Sequence, residues 1–119
     1  MAKFMFILHQ NQGCFDVSPE EMQRIVQKYQ SWMDKIRSSG RYVVSDKLAE
    51  EGGKVLTLQK GKVNVVDGPY SEAKEVVGGY FTIRAANYEE AVELARDCPH
   101  LHHGRIEIRQ IDPTGCGGE

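Results

Sequence analysis

An α+β domain is what this chain predicts, on three observations: two stretches with apolar residues at helical spacing, several short runs with strand-type alternation, and an order that interleaves them. Read along the chain, that order is strand, helix, strand, hairpin, strand, helix, strand, a βαββαβ plan with extra hairpin strands between its halves. The 119 residues are enough for one hydrophobic core and too few for two. A single domain is therefore expected over 1–112, with 113–119 as a mobile tail.

The first element is the run Lys3-Phe-Met-Phe-Ile-Leu-His9, apolar on both alternating faces, as in a strand covered on two sides. A polar, glycine-containing loop over 11–16 leads to Ser18, which can cap a helix, with Pro19 at its first position and Glu21 completing a capping box. Met22, Ile25, Val26, Tyr29, Trp32, Met33 and Ile36 then recur every three or four residues, one apolar stripe that Gly40 stops. Tyr42-Val43-Val44 gives a second strand. Lys54–Gln59 and Lys62–Val66 alternate around Lys60-Gly61, a turn of hairpin type. Gly79–Arg84 reads as a strand with Phe81 and Ile83 on its core face. Asn87 caps a second helix lined by Tyr88, Ala91, Val92, Ala95 and Cys98 and ended by Pro99. Alternation of Ile106 and Ile108 with Arg105, Glu107 and Arg109 makes the last strand.

In this plan both helices cover one face of an antiparallel sheet. The first strand nevertheless has no polar face: Met5 and Ile7 lie opposite Phe4, Phe6 and Leu8. A lone copy would expose apolar sheet, so a second copy packed face to face about a two-fold axis is expected, with room for a cavity between subunits.

Charge narrows the possible partners. Fifteen basic and 17 acidic residues are scattered without a basic block, which argues against nucleic acid. No apolar run approaches the roughly 20 residues that cross a bilayer, and the opening residues lead straight into a strand, so neither membrane nor export is expected and the cytoplasm is. Cys14, Cys98 and Cys116 lack paired short spacings, as reduced thiols do.

Chemistry-bearing residues concentrate in two places. Asp67-Gly68-Pro69-Tyr70 is first of all a turn, but Glu72, Lys74 and Glu75 follow at once, putting carboxylates and an amine beside an aromatic on one loop. Asp67 is a candidate acid or base there, and Tyr70, Glu72, Lys74 and Glu75 are candidate ligand contacts. Gly79, entering a strand after Gly78, suits close backbone approach to a ligand, a bulge, or equally a flexible loop closure. The second place is Cys98, His100, His102 and His103. Their spacing matches no standard metal site, so no metal is expected, and His100, just before the last strand, is the candidate for proton transfer. His9, ending the first strand, is a weaker candidate for the same mouth. No phosphate-cradling glycine pattern precedes a helix, so no nucleotide or other cofactor is expected.

The stretch Val66-Asp-Gly-Pro-Tyr-Ser-Glu-Ala-Lys-Glu-Val-Val-Gly-Gly-Tyr-Phe81 resembles the signature of the YCII-related DGPF family of small bacterial proteins, with Tyr70 standing where the family name implies Phe. The Ser18-Pro-Glu-Glu-Met22 helix start, the Tyr29 and Trp32 spacing, the Cys98-Pro-His100 step and the Ile106-Glu-Ile-Arg109 ending agree in order and distance. The resemblance implies a ferredoxin-like fold dimerising as an α+β barrel. Similar barrels include isomerases, dehydrochlorinases and monooxygenases acting on small ring compounds. In YCII proteins proper, a His on the first helix and an Asp before the final strand look like an acid/base pair. Tyr29 stands where that His would be, and is a candidate on that ground; Asp97 lies near the acidic position, with Cys98 intervening before Pro99. The function expected is a homodimeric small-molecule-binding protein or acid/base enzyme of isomerase or lyase type, with a pocket near the Asp67–Tyr70 loop. The alternative is a non-enzymatic regulatory or protein-interaction module.

Overall fold

The structure is a computed structural model, described here for residues 1–68 and 75–114. Tyr70, Glu72 and Lys74 lie outside the described residues, as does the end of the expected tail, 115–119.

Four strands form an antiparallel sheet: β1 (Ala2–Asn11), β2 (Tyr42–Lys47), β5 (Glu75–Ala85) and β6 (Gly104–Gln110), in the order β2-β5-β1-β6. With two helices this is an α+β arrangement consistent with a ferredoxin-like fold. Helix α1 (Pro19–Ser38) follows β1, and helix α2 (Tyr88–Ala95) follows β5. Among the described residues, strands β3 (Lys54–Gln59) and β4 (Lys62–Asp67) pair only with each other, as a two-stranded antiparallel sheet.

The helix starts follow from their capping residues. Ser18 Oγ accepts from the Glu21 amide at 3.1 Å, and Asn87 Oδ1 from the Glu90 amide at 2.9 Å, each satisfying one orphan donor. The Glu21 carboxylate turns to Arg24. Helix α2 stops at Ala95, short of Cys98, because the residue before a proline is driven out of the helical region: Cys98 has φ −68° and ψ 127°. Pro99–His102 then makes one 3₁₀ turn. Lys60 and Gly61 both take positive φ, 51° and 77°, as a tight two-residue hairpin turn requires.

The core lies between the sheet and the helices. Phe4, Phe6 and Leu8 of β1 and Phe81, Ile83 and Ala85 of β5 pack with Trp32, Met33 and Ile36 of α1 and Ala91 and Ala95 of α2. Trp32 sits against Phe81, ring centroids 5.2 Å apart, and Phe4 and Tyr88 meet in a T-shaped pair with centroids 4.9 Å apart. On the opposite face, register places Met5 between Thr82 and Arg109, and Ile7 between Tyr80 and Glu107. Val44 extends the first of these rows and Asp46 the second. That face is apolar at its centre and charged at both edges.

Candidate functional site

Tyr29 belongs to the apolar stripe of α1, one turn before Trp32 and Met33, so its ring enters the core side while its hydroxyl reaches beyond it. His100 is held by the 3₁₀ turn that Pro99 starts, with only 1% of its surface exposed. The two meet: Tyr29 Oη lies 2.7 Å from His100 Nδ1, and His100 Nε2 lies 2.8 Å from the His9 carbonyl oxygen.

These partners fix the protonation pattern. A carbonyl only accepts, so Nε2 carries the proton and donates to His9 O. Burial holds the imidazole below its ordinary pKa, so the ring is neutral and Nδ1 presents a lone pair. Tyr29 therefore donates to Nδ1, and burial also pushes its phenol well above the usual tyrosine range.

Aromatic rings frame the pair. His103 lies 6.2 Å from Tyr29, nearly parallel to it, and Phe15, from the β1–α1 connection, sits 4.9 Å from His103 and 6.5 Å from Tyr29. Phe15 and Cys14 also line a cleft of about 980 Å³, whose other walls include Gln10, Gly53, Gly68 and Glu75. Burial raises the Cys14 thiol, as it does the deeper Cys98, pushed up to about 11. Neither has the lowered pKa of a reactive thiolate.

The remaining sequence candidates scatter around this arrangement. Glu75 lines the cleft, where both carboxylate oxygens lie 3.0 Å from Arg105 Nε. Asp67 pairs with Lys54 across the first rung of β3–β4, its side chain 82% exposed, while the neighbouring Gly68 borders the cleft. Gly79 is a packing glycine: a β-carbon there would come within 2.7 Å of the Asp46 carbonyl oxygen of β2. His9 divides its roles. Its carbonyl serves His100, whereas its ring is on the open sheet face, 2.9 Å from Glu107. Asp97 is not the partner of Tyr29; it accepts from Trp32 Nε1 at 3.1 Å and from Lys35 at 2.5 Å, contacts that hold its carboxyl below the usual range.

The model of the YCII-related domain matches residues 2–114. The chain belongs to the YCII-related family. It is also 28% identical over 97 residues to Uncharacterized protein R00369 of Rhizobium meliloti (strain 1021), an alignment spanning 79% of this chain and 78% of that protein.

Within this YCII-related domain, two contributors to the site carry no signal in sequence. Phe15 sits in a polar loop and reads as an isolated aromatic. Gly104 belongs to no motif, yet a β-carbon there would lie 1.9 Å from His9 O, the atom that anchors His100. His103 was visible only as part of a histidine cluster whose spacing matches no standard metal site, and its stacking on Tyr29 depends on the fold.

No helix among the described residues is long and apolar enough to cross a membrane.

Proposed function

We propose that this is a DGPF-type member of the family that works as a homodimer, binds a small molecule in the cleft beside the Asp67–Tyr70 loop, and moves a proton through Tyr29 and His100. The observation that carries the reading is the 2.7 Å Tyr29–His100 hydrogen bond behind Phe15, with the far nitrogen of the ring already committed to His9 O.

The chemistry suited to this pair is a relay. Phe15 and Cys14, rather than Tyr29 or His100, wall the cleft, so a substrate proton reaches Tyr29 Oη past Phe15 as the phenolic proton passes to His100 Nδ1. The imidazolium so formed keeps its Nε2 bond to His9 O. Return of the proton to a neighbouring carbon completes an isomerisation, and departure of a leaving group completes an elimination. Because burial favours the neutral ring, His100 accepts throughout the neutral range and gives the proton back readily.

One observation favours the alternative of a recognition module for the loop itself: Asp67 is solvated and paired with Lys54, away from the buried pair. Deuterium incorporation separates the two readings. Native mass spectrometry identifies any molecule that co-purifies, and incubation in D₂O then reports a carbon-bound position that exchanges. Wild type should carry a ligand and label it; Tyr29→Phe should keep the ligand and label it at least 100-fold more slowly. A protein that holds no ligand, or a variant that labels as fast as wild type, defeats the proton-transfer reading.

A further inference from the structure

The β3–β4 ribbon is built unlike the rest of the molecule. Its cross-strand partners Leu56 with Val65 and Leu58 with Val63 place four apolar side chains on one face, 56–72% exposed. Neither strand pairs with the main sheet. An isolated two-stranded ribbon is at best marginally stable in water, and four adjacent exposed aliphatic side chains add a cost that a soluble chain normally avoids.

The same molecule carries a second uncovered face of matching character. On the side of the main sheet away from the helices, Met5 and Ile7 lie at the centre, with Val44 and Val77 41% and 42% exposed and Arg109, Glu107 and Asp46 at the margins. An apolar centre with a charged rim is the anatomy of an interface. The molecule is only 19 Å thick along its short axis, one sheet and one helical layer.

We propose that the apolar face of this ribbon is a clasp that lies over the open sheet face of a second copy of the chain. The proposal rests on the homodimer reading above and names the element that makes the contact. Because each copy offers both a ribbon and a sheet face, a two-fold operation engages both pairs at once and closes the assembly. The sizes agree. A six-residue ribbon face is about 20 Å by 10 Å, and four strands present about 20 Å by 20 Å. Fully covered, the two faces amount to about 600 Å² per partner, the lower end of the roughly 600–1,000 Å² per partner of standard interfaces. The clasp also bears on the site: Gly53 and Val55 at the root of β3 and Gly68 after β4 wall the cleft, so the partner that holds the ribbon fixes that wall.

The test replaces Leu56, Leu58, Val63 and Val65 together by Thr, which keeps strand propensity and removes the apolar face. A second variant, Met5→Thr with Ile7→Thr, alters the receiving face. Sedimentation over nanomolar to micromolar protein reads the dimer constant, and circular dichroism reads the fold. Wild type should be dimeric, and both variants should remain folded with dimer dissociation constants raised at least 100-fold. A quadruple variant that dimerises like wild type overturns the clasp and leaves the homodimer standing. A wild type that is monomeric throughout overturns both.

Discussion

Gly104 and His9 approach so closely that any side chain at 104 would place its β-carbon 1.9 Å from the His9 carbonyl oxygen. That oxygen is also the acceptor for His100 Nε2, so a backbone contact between β1 and β6 sets the position of the buried ring. Gly104→Ala must therefore push the two strands apart or turn the carbonyl. A loss of about 2–4 kcal/mol in unfolding free energy is expected, at the upper end of single substitutions. Gly40→Ala is the control, since its β-carbon would meet nothing within 4 Å and only the φ of +77° is strained, for about 1–2 kcal/mol. Urea unfolding of the two variants checks the order.

Tyr29→Phe removes the donor to a buried Nδ1 and leaves that lone pair unsatisfied. The expected cost is about 1–3 kcal/mol. In wild type, nitrogen-15 spectra of labelled histidine should show His100 as the neutral Nε2–H tautomer at pH 7. A ring protonated on Nδ1 at that pH would contradict the assigned donor and acceptor roles.

The pKa of His100 lies below the ordinary 6.5 in the folded state, and so does that of His103. The unfolded chain thus binds more protons than the folded one between the ordinary value and the lowered ones. Their contribution is complete above pH 6.5 and is lost as pH falls through that window. Urea midpoints measured from pH 7.5 down to 5 should fall, and the fall should be shallower in His100→Gln. A midpoint that rises on acidification would reverse the assigned sign.

Asp97 accepts from the buried indole of Trp32, the chain's lone tryptophan, and from a solvated Lys35. Asp97→Asn retains an acceptor for the indole and loses only an exposed ion pair, so it should cost about 1 kcal/mol or less. Asp97→Leu removes the indole's acceptor, should cost about 1–3 kcal/mol, and should shift Trp32 fluorescence.

Much of this fold was written in local pattern. Ser18, Asn87 and the Lys60-Gly61 turn each act through contacts within a few residues, so type and position could be read together. The α1 stripe was legible for the same reason, and it placed Tyr29 on the core side. The site was legible only in its members. Tyr29 and His100 could each be named, but their pairing joins residues 71 apart and depends on where a carbonyl 91 residues from His100 comes to rest. Nor does alternation alone tell that His9 would give its backbone to one face and its ring to the other. Asp67, legible as a turn residue, is directed by its rung of β3–β4 toward Lys54.

The strand order β2-β5-β1-β6 has a kinetic consequence. The first strand pairs with neither of the elements that follow it directly; both of its neighbours come from the second half of the chain. As a nascent chain leaves the ribosome, β1 waits with two apolar faces and two unpaired edges until β5 emerges, and the His9 carbonyl waits longer, for the turn carrying His100. Loop-closure entropy must be met before these distant contacts give anything back, so folding is slow relative to helical domains of equal size. The Tyr29–His100 hydrogen bond is then among the last contacts to form, and during synthesis the first strand is the segment most exposed to pairing with the wrong chain.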